Sequence, residues 1–290
     1  MAFLSYLISG VCLGSVYAII ALGYTMVYGI AKMLNFAHGD VIMVGGYISY
    51  IIMYNLHLPG WLAVIGAMAV CTVLGIVIEG LAYKPLRQAT SLAVLITAIG
   101  VSYFLQNTAQ LIFGTNIKSY QSVIDGTLKL GQISIPYVSI LTVFACIVIM
   151  VGLTLFTSKT KMGKAMRACS EDKGASQLMG INVNKTISVT FAIGSGLAAV
   201  AGVLLCSAYP TLQPTTGSMP GIKAFTAAVF GGIGSIPGAF LGGLLIGIIE
   251  SLAKAYISTT LANTIVFAVL IIILLVRPAG LLGKYRQEKV

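Results

Sequence analysis

VIMVGGYISYIIMYNLHLPGWLAVIGAMAVCTVLGIVI, residues 41–78, runs for 38 positions without an aspartate, glutamate, lysine or arginine. A membrane-spanning helix takes about 20 apolar residues, so this run has room for a helix pair or a broken helix. Six more charge-free runs surround it, at 1–31, 88–117, 130–158, 186–222, 224–249 and 255–276. Seven such runs predict an all-α, polytopic transmembrane helix bundle, a single transmembrane domain over 1–290. Only 8% of the residues are charged, 58% are hydrophobic, and mean hydropathy is +0.99. A soluble domain carries roughly 25% charged residues, so that class is excluded. A transmembrane β-barrel is excluded too, because its strands alternate apolar and polar over about 10 residues.

The net charge of +10 raises nucleic acid as a partner. The placement of the charge answers that. Lysines and arginines sit at run ends and in one central loop, where membrane orientation signals belong, so the partner they read is a lipid bilayer and no nucleic acid is expected. Cys12, Cys71, Cys146, Cys169 and Cys206 are scattered without a CxxC pair and read as reduced packing residues. The first run lacks a basic start and reads as a retained helix rather than a cleaved signal.

Residues 159–185 carry six basic residues against Glu171 and Asp172, which predicts a cytoplasmic loop. The tail after Arg277, with Lys284, Arg286 and Lys289, and the turn at Lys84 and Arg87 belong on the same side. The stretch 114–136 has Lys118, Asp125 and Lys129 alone and is assigned outside. Helices are expected near 3–30, 41–56, 61–82, 92–113, 137–158, 186–209, 222–234, 239–256 and 260–276. Parity then puts the N-terminus outside and the C-terminus inside, with 13 of 17 basic residues on the inner side. Segments 41–56 and 222–234 are short for a full span, so eight or nine crossings are expected.

Those two short segments are flanked by breaking sequence. Leu34-Asn35-Phe36-Ala37-His38-Gly39-Asp40 precedes one, and Gly231-Gly232-Ile233-Gly234-Ser235-Ile236-Pro237-Gly238 ends the other. Pro237 disrupts a helix interior, and irregular backbone at membrane depth is tolerated where it lines a cavity. Paired broken segments in two halves of a chain point to a transporter's central path. Candidate path residues are therefore Asn35, His38, Gly39, Asp40, Gly45, Gly46, Gly231, Gly232 and Ser235. Asp40 reads either as an N-cap acid for a half-helix starting at Val41 or as part of a gate, and both can hold.

In the central loop, Met162, Ala165, Met166 and Cys169 follow helical spacing. Ser170, Glu171 and Asp172 form a helix-start signal. Ala175, Leu178 and Met179 make an apolar stripe, and Gly180 followed by Ile181 reads as a glycine stop with its hydrophobic contact. Two short amphipathic helices at the cytoplasmic surface are expected, as a solvated loop or as a docking element for a partner's groove.

Gly163-Lys164-Ala165-Met166-Arg167-Ala168 through Gly180-Ile181-Asn182-Val183 resembles the cytoplasmic coupling loop of permeases that serve ABC importers. Gly174-Ala175-Ser176, three residues, Gly180 is similar to the wider pattern Glu-Ala-Ala, three residues, Gly, with Gly174 where that pattern has Glu. The segments 34–40, 180–183 and 225–239 together resemble branched-chain amino acid permeases of the LivH type, over essentially the whole chain. Urea and short-amide permeases are similar in the same motifs. The resemblance implies a multi-pass permease of the bacterial inner membrane. Its implied partners are two ATP-binding subunits, a second, LivM-like permease and a periplasmic substrate-binding protein. The implied coupling residues are Gly163, Ala165, Arg167, Glu171, Asp172, Ala175, Leu178, Gly180 and Ile181.

The sequence has no GxxxxGK[ST], HExxH or GxSxG pattern and only His38 and His57 as histidines. No catalytic residue, metal site or cofactor is expected, and ATP hydrolysis is assigned to partner subunits. Intramembrane charges are functional candidates by default. Glu250 and Lys254 read as an i,i+4 pair near the outer interface, Lys223 as structural near the same interface, and Glu79 as a snorkelling acid at an inner helix end. An ion-coupled transporter or channel acting alone, with Asp40 or Glu250 as its ion site, is the alternative reading.

Overall fold

The computed structural model describes residues 2–130 and 133–283. The helices follow the charge-free runs: α1 Ala2–Ala31, α2 His38–Tyr50, α3 Gly60–Ile78, α4 Ser91–Phe113 and α5 Tyr137–Lys159. They continue with α6 Lys161–Glu171, α7 Lys173–Leu178, α8 Val183–Ala208, α9 Ser218–Gly231, α10 Ile236–Tyr256 and α11 Ala262–Val276. π-turns lengthen α2 to Asn55 and α3 to Tyr83. Among the described residues, six helices are long and apolar enough to cross a membrane alone. The other expected segments are α2, α9 and α11, with 13, 14 and 15 residues. The basic tail at 284, 286 and 289 lies outside the described residues.

Small residues set the centre. α1 and α10 run antiparallel, with Gly10 and Gly14 seated on Ile248 and Leu244, and Gly243 and Gly247 seated on Ala18 and Gly14. A Cβ at Gly10 would come 2.9 Å from the Ile248 backbone. In lipid no hydrophobic force drives one apolar helix onto another, so close backbone approach and dispersion hold the pair. α8 is the other central helix: 78% of its apolar span is buried, against 17% in α4 and 22% in α5. Those peripheral helices show Phe104, Leu111 and Phe144 to the outside, where acyl chains replace water.

Short strands lie between α4 and α5 at 118–119, 127–130 and 133–136. β1 Lys118–Ser119 pairs antiparallel with β4 Thr211–Leu212, and β2 Thr127–Leu130 with β3 Ile133–Pro136. The short alternating stretches there suit strand pairing better than a helix. These pairs lie where α8 ends, opposite the loop that joins α5 to α8. The two ends of the bundle are called here the loop end and the far end.

Several local expectations are corrected. Pro237 does not break a helix; it sits in the first turn of α10, where its missing N–H is harmless. The segment expected at 222–234 runs instead over Ser218–Gly231, because Gly232 takes φ +104° and ends it. Glu79 does not snorkel. It is 1% exposed, bonds Arg87, and accepts from Ser188 Oγ at 2.6 Å.

Candidate functional site

α2 and α9 meet through glycine. Gly39 packs against Gly217 and Gly221, and a Cβ at Gly39 would lie 2.8 Å from the Gly217 carbonyl oxygen. The first turns of the two short helices are therefore side by side. Asp40 lies in the first turn of α2, but it is not the cap. The helix starts at His38 after Ala37, with no side-chain cap bond. The Asp40 carboxylate instead accepts from Gln106 Nε2 of α4 at 2.8 Å, and that amide also reaches Ser218 Oγ of α9 at 3.3 Å. One amide thus ties the starts of both short helices to a neighbouring span.

Aromatic rings close the junction toward the loop end. His38, 1% exposed, lies 4.5 Å from the Tyr24 ring, and Phe225 lies 5.8 Å from both Tyr24 and Phe36. Asn35 Oδ1 accepts from Tyr83 OH at 2.9 Å. The crevice between Tyr24, Asn35, Phe225 and Ile233 holds only about 10 Å³. At the far end a cavity of about 460 Å³ opens between α1, α8, α9 and α10. A further cavity of about 180 Å³ lies at the loop end between Tyr28, Leu34, Arg87 and Lys173, so the narrow crevice at Tyr24 and Phe225 separates spaces at the two ends of the bundle.

The remaining path candidates separate. Gly45 packs on Ala199 of α8, and Gly46 on Leu212 and Cys206. Gly231 faces Gly238 across the α9–α10 turn, and its carbonyl accepts from Leu282 N at 2.9 Å. Gly232 supplies the positive φ that ends α9, and Ser235 Oγ caps α10 by accepting from Gly238 N at 3.2 Å. These residues shape the turn, and Ile233 between them reaches the crevice.

The loop at 159–182 folds as two capped helices. Thr160 Oγ1 accepts from Gly163 N at 3.0 Å and starts α6, and Gly163 lies tight on Phe156 and Thr157 of α5. Met166 and Cys169 point inward, Ala165 is half-buried, and exposed Arg167 donates to the Ser158 carbonyl at 3.1 Å. Exposed Glu171 ends α6. Asp172 Oδ1 accepts from Gly174 N at 2.7 Å and Ala175 N at 3.0 Å, which caps α7. Gly180 at φ +78° ends it, with Ile181 N donating to Ser176 O at 3.0 Å, the doubled closure of a glycine stop. Lys173 Nζ donates to the Ala31 carbonyl at 2.9 Å and fastens α7 to the end of α1. Partial burial, with Arg87 and Lys32 nearby, holds that ammonium below its ordinary pKa. Leu178 and Met179 stand 90% and 81% exposed at the tip of this anchored unit.

A third cluster lies at the floor of the far-end cavity. Glu250 Oε1 pairs with Lys223 at 2.7 Å and with Lys254 at 2.6 Å, and Oε2 accepts from Tyr17 OH at 2.9 Å. The expected i,i+4 pair is present, joined by a second lysine from α9.

The family described as branched-chain amino acid transport system / permease component matches residues 6–275. The chain belongs to that family. It is 47% identical to the high-affinity branched-chain amino acid transport system permease protein LivH of Escherichia coli K12, over 99% of this chain and 98% of that one. BraD of Pseudomonas aeruginosa, described as a permease of the same kind of system, is 45% identical over the same shares. A probable LivH of Methanocaldococcus jannaschii is 32% identical over 91% of this chain and 88% of its own length.

For this branched-chain permease, sequence reasoning located the breaks but missed their partners. Tyr24, Gln106, Ser218 and Phe225 complete the junction, and Tyr17 completes the ion cluster. Gln106 carried a readable signal, an amide inside a charge-free helix, where polar groups act between helices. Phe225 opens the segment 225–239 that carries the family resemblance, and Tyr17, Tyr24 and Ser218 carried no signal.

Proposed function

We propose that this permease is the membrane-spanning subunit of an ATP-driven importer of leucine, isoleucine and valine in the inner membrane. Two ATP-binding subunits, a second, LivM-like permease and a periplasmic binding protein complete it. The chain is not an enzyme, and hydrolysis belongs to the partner subunits. The observation that carries the coupling half of this reading is the α6–α7 unit. Leu178 and Met179 stand in the open on a short helix held at both ends. A free loop would lose ordering entropy on docking, whereas this one is preorganised. Its apolar tip suits a groove on an ATPase, and Lys173 carries its displacement to α1.

The junction supplies the other half. Two short helices meet at their starts through glycine packing and one bridging amide, with no bulky side chain interlocked between them, so a small rotation of α4 or α9 shifts them apart. Import then alternates between the far-end cavity and an opening past Tyr24, Phe36 and Phe225. The test is purification from native membranes in mild detergent, followed by reconstitution with the binding protein and ATP. Co-purifying ATPases and leucine uptake that requires ATP are expected. A chain that purifies alone and transports in liposomes without ATP overturns the proposal.

A further inference from the structure

The far-end cavity carries an uneven charge count. Among its lining residues Lys223, Glu250 and Lys254 bear the formal charges, two positive and one negative. Glu250 is already shared: Oε1 takes both ammoniums and Oε2 takes the Tyr17 hydroxyl. The Lys223 side chain is 7% exposed and also stands over the Tyr17 ring at 5.9 Å. Tyr17, Lys223 and Glu250 already tie α1, α9 and α10 together. Lys254 is not needed for that tie, and its side chain is 41% exposed toward the opening. An ammonium has three donors, and charge left over in a partly desolvated floor calls for an anion.

We infer that this floor is an entry subsite for the carboxylate of an amino-acid zwitterion, with Lys254 as its direct partner. The excess is one positive charge, which matches one carboxylate. The rim supplies oxygen acceptors for the substrate ammonium in Gln213, Thr215 and Thr216, and Leu13 and Leu205 give the aliphatic side chain an apolar wall. A volume of about 460 Å³ falls in the ordinary range of small-molecule sites, about 300–1,000 Å³. Charge-assisted contact at a half-exposed lysine is weak enough to release its cargo onward. The inference rests on the proposed import of branched-chain amino acids and assigns where that substrate's head group first lands.

The test uses the complete complex in nanodiscs without ATP or binding protein, with radiolabelled L-leucine as probe. Unlabelled L-leucine should compete at least about tenfold better than leucinol, which lacks the carboxylate. Lys254→Gln should weaken leucine binding about tenfold or more and erase the preference over leucinol, and Lys254→Arg should restore both. The thermal midpoint of Lys254→Gln should match wild type, since Glu250 keeps Lys223 and Tyr17. Wild-type binding and wild-type discrimination in Lys254→Gln overturn the subsite. So does a wild-type complex that imports leucine with its binding protein and ATP yet shows no direct binding. A complex that imports no leucine at all overturns the proposed function instead.

Discussion

Glu79 joins three elements at the loop end of the bundle. It accepts from Ser188 of α8 and bonds Arg87, which also bonds Asn184. Removing one member of a buried pair leaves the other charge without compensation, which costs about 3 kcal/mol. Glu79→Ala should therefore lower the thermal midpoint of the detergent-solubilised protein by several degrees. Replacing Glu79 and Arg87 together with apolar residues of similar size should recover much of that loss. Equal midpoints for the single and double variants would show that the pair is not what holds this corner. The expectation of a snorkelling acid failed because Arg87 folds back over the helix end, and a five-residue spacing to Lys84 does not reveal that.

At the scale of elements, α7 and the α2–α9 junction make separate predictions. Leu178→Asp leaves the fold alone, since the side chain is 90% exposed, and it should cut ATP-dependent uptake several-fold while the assembled complex still hydrolyses ATP. Gly180→Val forces a β-branched residue into φ +78°, a strain of about 1–2 kcal/mol. It should uncouple hydrolysis from uptake in the same assay, as should replacing Glu171 and Asp172. Normal uptake in all these variants would remove α7 from the coupling route. At the junction, Gly39→Val drives a side chain into the Gly217 carbonyl. The expected result is lost uptake with the chain still inserted, read by uptake and membrane-fraction blotting in parallel. The loop helices were legible because caps and stops are signals within a few residues of each other. The junction was legible only as two breaks in the chain, since nothing local says that the breaks touch.

At the scale of the whole molecule, the α6–α7 unit and the segment 209–217 lie at opposite ends of α8. Cys71, Cys146, Cys169 and Cys206 are buried and Cys12 is half-buried, so thiols introduced at the partly exposed Ser170 and Gln213 should be readable over a low background. The proposed placement of the basic loop on the inner side predicts that Ser170→Cys reacts with a membrane-impermeant maleimide only in inverted vesicles. Gln213→Cys should react only in right-side-out ones. Labelling of both from one side would overturn the assigned topology.

Hydropathy and charge spacing by themselves determined the membrane class, the helix positions to within a few residues and the capped loop. Each of those depends on a window of about 20 residues or fewer, set by bilayer thickness and local backbone bonding. Tertiary structure alone decided which polar groups meet: Asp40 with Gln106, 66 residues apart, and Glu250 with Lys223 and Tyr17, 27 and 233 apart. It also decided which faces turn inward. A helix apolar all round has no stripe to point toward a core. In lipid its partner is chosen instead by glycine-to-backbone fit and by long-range polar bonds, which hydrophobic pattern does not encode.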